Sequence, residues 1–273
     1  MLDRFVNEGM KGKSEATIKT YRHALGQFAE WLDGAGATLE DFSRSDVQQY
    51  INYMASKKKT AATINKVFNA IRKFCKWAKK TDCIEDIHIV KAPDYKQTAP
   101  KALNKLERHK LIRDFDRGGN KRDNAIVLTL LHTGIRVSEL VALDKSDVEI
   151  SERKGTLTVR AGKGNKERTL PLDSEVRRAI TKYLEERNDE KQALFLSNRD
   201  ERISVRSVQH LLSQHDIHPH QLRHTFITEL VRSNHDFSLV QTLSGHSSAD
   251  MIMRYSKPTE EDKLQAVEGL YKD

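Results

Sequence analysis

Two arginines, two histidines and a tyrosine stand in settings that suit them to phosphate chemistry. Arg136 lies in Thr133-Gly134-Ile135-Arg136-Val137-Ser138-Glu139-Leu140. His220 and Arg223 lie in His220-Gln221-Leu222-Arg223, His246 follows Gly245, and Tyr255 comes nine residues after His246. An arginine offers a planar fork of donors that matches two phosphate oxygens and stays charged at any working pH. A histidine exchanges protons near neutrality. A tyrosine, with a reference pKa of about 10, becomes a nucleophile when its phenol is activated by a positive site. Together these groups could hold a phosphodiester and attack it. His220 and Arg223, three apart, share one face of a helix that Pro219 favours starting. Each also has a plainer reading: Arg136 as a surface arginine paired with a carboxylate, and Tyr255 as an aromatic packed beside Met251 and Ile252.

A lysine completes the inventory. Thr156-Leu157-Thr158-Val159 alternates as a strand, Ala161 to Asn165 is turn sequence, and Arg168 to Leu172 alternates again. That is a hairpin with Lys163 at its tip, where the amine could reach a leaving oxygen and protonate it. Lys166 competes for the same role, and an ordinary turn lysine is the plain alternative. Gly162-Lys163-Gly164 does not fit a phosphate-binding P-loop. A metal-dependent nuclease is a rival reading. His215, His218, His220 and His224 are dense, and His220 with His224 has zinc-ligand spacing. Asp216 is the acidic residue within that stretch, and Arg223 would sit against the metal, so the expectation is no metal.

These groups need elements to position them. Ser14 can cap a helix whose stripe is Ile18, Tyr21, Leu25, Phe28 and Leu32, stopped at Gly34; another opens near Ser45. A third, from about Thr60 to Lys80, has Ile64, Val67, Phe68, Ile71, Phe74, Cys75 and Ala78 on one side. Asn65, Lys66, Asn69, Arg72, Lys73 and Lys76 lie on the other, where amides could read base edges and cations meet phosphates. A solvated face is the bland alternative. The two prolines of 91–101 break the periodicity as a linker would, dividing the chain into 1–90, the linker and 102–273. Beyond it, helices are expected from Asn104 to Gly118, over 125–131, 174–186, 205–212, 220–232, 237–243 and 260–270. The net charge of +8 in 273 residues fits a polyanionic partner. No apolar run is long enough to span a membrane, and the first residues do not form a secretory signal. Cys75 and Cys83 lack metal-ligand spacing, which points to reduced thiols and a cytoplasmic protein.

The ordered set resembles the tyrosine recombinases, the phage-integrase and Xer-like enzymes, including transposon-encoded resolvases, over nearly the whole chain. The resemblance implies a mainly α fold with a small β-sheet: an N-terminal helical, SAM-like core-binding domain and a C-terminal mixed α/β catalytic domain that close around DNA. It implies catalytic roles for Arg136, Lys163, His220, Arg223, His246 and Tyr255, with Glu139 in support. Strands would be cut and rejoined through a 3′-phosphotyrosyl link, without ATP, metal or other cofactor. The implied partner is a double-stranded DNA recombination site, held by a homodimer and paired with another in a tetrameric synapse. The segment after Tyr255, with Leu264, Val267 and Leu270 on one face, would dock on its own domain or on a neighbouring subunit. There is no appreciable extra N-terminal domain, which favours Xer-like or transposon resolution over complex integration. A DNA-binding protein with a vestigial site is the alternative outside enzymes.

Overall fold

A computed structural model describes residues 1–90, 100–160, 167–233, 235–246, 249–258, 263, 264, 267, 268 and 270. The chain divides into two compact units, Met1–Tyr95 and Lys96–Asp273. The expected linker falls almost wholly on 91–99, outside the described residues.

The first unit is built from α1 (Leu2–Gly9), α2 (Glu15–Gly34), α3 (Arg44–Ser56) and α4 (Ala61–Ala78), followed by a 3-10 turn at Thr81–Ile84. Local chemistry sets their starts. Ser14 and Thr60 accept the backbone N–H groups of Thr17 and Thr63, and Ser43 forms a reciprocal capping box with Asp46, two residues earlier than the Ser45 start expected. The apolar stripes of α2, α3 and α4 meet in a core that includes Leu25, Phe28, Val47, Ile51, Ile64, Ile71 and Phe74. Helix α1, for which the sequence carries no long periodic signal, is held by Phe5, whose ring meets Phe74 edge-on at 5.4 Å.

The second unit packs helices around a small sheet. Its helices are α5 (Lys105–Arg117), α6 (Lys121–Thr133), α7 (Val137–Ala142), α8 (Ser174–Glu185), α9 (Val205–Ser213), α10 (Pro219–Arg232), α11 (Phe237–Ser244) and α12 (Ala249–Met253). The antiparallel sheet runs β1 (Val148–Ile150), β2 (Gly155–Val159), β3 (Arg168–Pro171), with Val159 opposite Arg168 and Thr156 opposite Pro171. Strand alternation turns Leu157, Val159 and Leu170 into the core, where they join Ile126, Leu130, Leu140, Ile180 and Leu222. The hairpin expected from the sequence is therefore present; its tip, with Lys163 and Lys166, lies outside the described residues. Strand β1 adds three residues that no alternation could announce.

Helix α6 is the hub for the site. It is buried along Ala125–Leu131 and ends at Gly134, whose left-handed φ of 61° turns the chain into α7. A Cβ at Gly134 would stand 2.3 Å from the Phe226 ring of α10, so glycine satisfies both the turn and the contact. Gly134→Ala is expected to destabilise the second unit by roughly 1–3 kcal/mol through αL strain and overpacking. Urea denaturation would show it, and Phe226→Leu in the same background should recover part of the loss.

Candidate active site

The carboxylate of Glu139 is the first fixed point. It projects from α7 and is buried, its side chain only 2% exposed. Arg136, at the N-cap of α7, gives its backbone N–H to Oε2 at 2.8 Å and its Nη1 to Oε1 at 2.7 Å. Arg168, at the start of β3, donates Nη2 to Oε2 at 2.7 Å and Nη1 to Oε1 at 3.2 Å. Burial pushes the Glu139 carboxyl up, but the hydrogen bonds from Arg168 and from Arg136 outweigh it and bring the pKa from 4.5 down to about 2. The carboxylate is thus ionised at any physiological pH.

Arg223 is the second. It is 4% exposed on α10 and reaches both flanking segments: Nη1 donates to the Gly134 carbonyl at 2.6 Å and Nη2 to the Ser244 carbonyl at 2.7 Å. One side chain thereby ties the turn before Arg136 to the turn before His246. Burial, then the nearby Arg136, pulls its guanidinium from 12.5 down to about 10. Gly245 makes the other close approach: its φ is 64°, and a Cβ there would stand 3.0 Å from the Arg168 guanidinium.

The remaining groups assemble over this base. His246 is buried; its Nε2 faces Arg223 Nη2 at 3.3 Å and its Nδ1 lies 3.1 Å from Ser244 Oγ. Because a guanidinium only donates, the neutral ring in this arrangement accepts at Nε2 and carries its proton on Nδ1. Burial, then Arg223 and Arg136, lowers its pKa from 6.5 to about 4. Tyr255 is 6% exposed and packs with Ile227, Val240 and Ile252, its ring 6.1 Å from that of His246. Burial raises the Tyr255 phenol above 10.0 against the opposing pull of Arg223, Arg254 and Arg136. Its hydroxyl is 2.8 Å from Nδ1 of His224. His220 is exposed one turn earlier on α10, its ring 6.4 Å from that of His224.

Arg136, Glu139, Arg223, His246 and Tyr255 therefore converge, with His220 at the rim; Lys163 is outside the described residues. Two participants were missing from the expected set. In the sequence Arg168 is marked only as part of a strand, although a glutamate within an apolar helix start signals a cation from elsewhere. His224 had been weighed only as a metal ligand. The four histidines are dispersed: His215 packs against Phe115 with ring centroids 4.6 Å apart and tilted planes, whereas His224 bonds to Tyr255. Among the described residues, no three His, Cys, Asp or Glu side chains are grouped to hold a metal ion.

On α4, Lys66, Asn69, Arg72 and Lys76 are exposed, and Lys73 is half-buried. Asn65 is already engaged, donating its amide to the carbonyls of Ala61 at 2.7 Å and Val90 at 3.1 Å.

The Glu139 bonds have a pH signature. Because the folded carboxyl is lowered from 4.5 to about 2, its contribution is complete above pH 4.5 and is lost as pH falls through about 2. Glu139→Gln should destabilise the unit by about 3 kcal/mol at pH 7. Denaturation curves from pH 7 to pH 2 should show that difference shrinking toward the acid end.

Residues 101–262 match the Phage integrase family, and residues 3–85 match the phage integrase N-terminal SAM-like domain. The chain is 33% identical to the tyrosine recombinase XerA of Pyrococcus furiosus, over 95% of this chain and 89% of that one. It is 30% identical to the tyrosine recombinase XerC of Staphylococcus epidermidis, over 89% and 86%. Its fold is similar to the crystal structure of the XerH site-specific recombinase bound to its difH substrate, with a TM-score of 0.72 and 19% identity over 99% of this chain and 84% of that one. With the SAM-like match on the first unit and the longer match on the unit that holds Arg136, Arg223, His246 and Tyr255, this chain belongs to the phage integrase family, the tyrosine recombinases.

Proposed function

We propose that the chain is a site-specific DNA recombinase that cuts and rejoins strands through Tyr255. The observation that carries this reading is a charge imbalance beside a phenol: among the described residues Arg136, Arg168 and Arg223 stand around the carboxylate of Glu139, and Tyr255 lies in the field of Arg223 and Arg136. Buried positive charge in excess favours an anion, and a phosphodiester adds charge as its pentacoordinate transition state forms. Arg136, with about a quarter of its side chain open to solvent (23%), is placed to donate to a non-bridging oxygen. Arg223, braced on two carbonyls, adds its charge from within, and His246 and His220 supply further phosphate contacts. An approaching phosphate would offset the guanidinium field that, after burial, keeps His246 neutral, allowing its imidazole to become a donor. Tyr255 would bond to phosphorus and release the DNA 5′ oxygen, for which Lys163 is the proposed proton donor. The phosphodiester energy is stored in the 3′-phosphotyrosyl link, so rejoining needs no ATP.

The first unit serves as the core-binding domain in this reading, and the second as the catalytic domain. The exposed cations and Asn69 of α4 would meet DNA, while Asn65 holds its own backbone. Homodimers on each site and a tetrameric synapse are part of the same proposal, supported by Leu264, Val267 and Leu270, which remain 59%, 63% and 68% exposed. Among the described residues no helix is long and apolar enough to cross a membrane. Buried free thiols at Cys75 and Cys83 support a cytoplasmic setting.

A nicked duplex carrying the sequence that the purified protein enriches from a random pool should trap a covalent adduct with the wild type and none with Tyr255→Phe. An adduct that persists in Tyr255→Phe overturns the assignment. Arg136→Ala and Arg223→Ala should each slow adduct formation about a hundredfold, the scale of a lost transition-state donor. Affinity for the same duplex should fall with salt at a log–log slope of about −0.9 per phosphate neutralised; a flat response would remove the proposed cationic contact surface.

A further inference from the structure

The Tyr255 hydroxyl meets an imidazole in the structure, and it is not that of the histidine on which the sequence motif centres. The motif His220-Gln221-Leu222-Arg223 draws attention to His220, yet the imidazole in hydrogen-bond contact with the Tyr255 hydroxyl is that of His224. Helix geometry explains the substitution. His220, His224 and Ile227 follow the three-to-four spacing of one face of α10. Tyr255 packs its ring on Ile227, and its hydroxyl extends one turn back to His224. His220, another turn earlier, is exposed.

We propose that His224 is a catalytic residue that accepts the Tyr255 proton during strand cleavage and returns it during rejoining. The assignment rests on the reading of Tyr255 as nucleophile. At 2.8 Å, Nδ1 and Oη are within direct transfer distance. The groups that face the imidazole are His220, Arg254, Arg223 and the phenol itself. Burial, then the charges of His220, Arg254 and Arg223, lowers the His224 pKa from 6.5 to about 4, so the ring is neutral at physiological pH, and with its proton on Nε2 it offers Nδ1 as an acceptor. The phenol, held above its usual value by burial, keeps its proton until it attacks. An acceptor is therefore needed as the new bond forms. In the cleavage step the Oη–phosphorus bond forms and the phosphorus–O5′ bond breaks. The phenolic proton passes to His224 Nδ1, and the departing O5′ takes a proton from a separate general acid. In rejoining, the O5′–phosphorus bond re-forms as the Oη–phosphorus bond breaks: the 5′ hydroxyl returns its proton to that general acid, and the imidazolium returns its proton to the leaving phenolate. No oxidant, reductant or further reactant is involved.

The test separates the two ends of the displacement. His224→Gln preserves polarity and size without a basic nitrogen. His224→Phe preserves a flat ring. Each is assayed in single-turnover adduct formation on the selected nicked duplex, and again on that duplex with sulfur in place of the bridging O5′, whose thiolate departs without a proton. Both variants should bind the duplex within about twofold of wild type while forming adduct about a hundredfold more slowly. The deficit should persist on the sulfur duplex and narrow as pH is raised toward the phenol's own ionisation. A wild-type rate in His224→Gln, or a deficit that disappears on the sulfur duplex, overturns the assignment. If both variants misfold, histidine ¹⁵N spectra of the unaltered chain decide it: an unprotonated Nδ1 at pH 7 that shifts in Tyr255→Phe supports the acceptor role, and a protonated Nδ1 overturns it. Adduct loss in Tyr255→Phe with His224→Gln unimpaired removes only this inference; an adduct surviving in Tyr255→Phe removes the parent reading.

Discussion

The buried Glu139 carboxylate is the constraint on which the catalytic unit depends. It caps its own helix through the Arg136 backbone, orients the Arg136 side chain, and holds β3 to α7 through Arg168. Burying a charge is costly unless it is paired, and here four donor groups from two arginines, three from Arg136 and Arg168 side chains and one from the backbone, converge on two oxygens. The pairing is deliberately incomplete in charge: a lone carboxylate cannot neutralise Arg136, Arg168 and Arg223 together. Burial first, and then this excess, keeps His246 unprotonated, while His224 is kept so by burial and by the charges of His220, Arg254 and Arg223. Anchoring and attraction thus share a common origin.

Arg223 is the mechanical counterpart of that electrostatic centre. Two backbone carbonyls from distant segments, Gly134 and Ser244, converge on it. Each segment ends a helix in a left-handed glycine, at 134 and at 245, which lets the chain pass close to Phe226 and to Arg168 respectively. A lysine could match the charge of Arg223 but not its simultaneous reach to both carbonyls. The first unit is organised on a different basis: an apolar core of interlocked helices with the cations of α4 left outside it.

How much of this could be read beforehand followed the range of the interaction. Helices α2, α4 and α5 were legible because capping residues and apolar stripes are local, and Ser14, Thr60 and Asn104 do cap them. Helix α1 and strand β1 were not, since eight and three residues are too few to establish a period and each depends on a distant partner. In the site, motif spacing singled out Arg136, Arg223, His246 and Tyr255. Arg168 and His224 escaped because their significance lies in pairings across 29 and 31 residues. Asn65 shows the converse: its type suits base recognition, while its amide is committed to Ala61 and Val90.

Tyr255 belongs to a small satellite cluster with Ile227, Val240 and Ile252, separate from the larger core of its unit. Few apolar neighbours mean a low free energy of local opening compared with opening of the main core. Among the described residues, the cluster bearing the reactive hydroxyl is thus set apart energetically from the core that holds α6, α8 and the sheet. On that ground, the melting temperature of the whole unit would be a poor report of how firmly the hydroxyl is held.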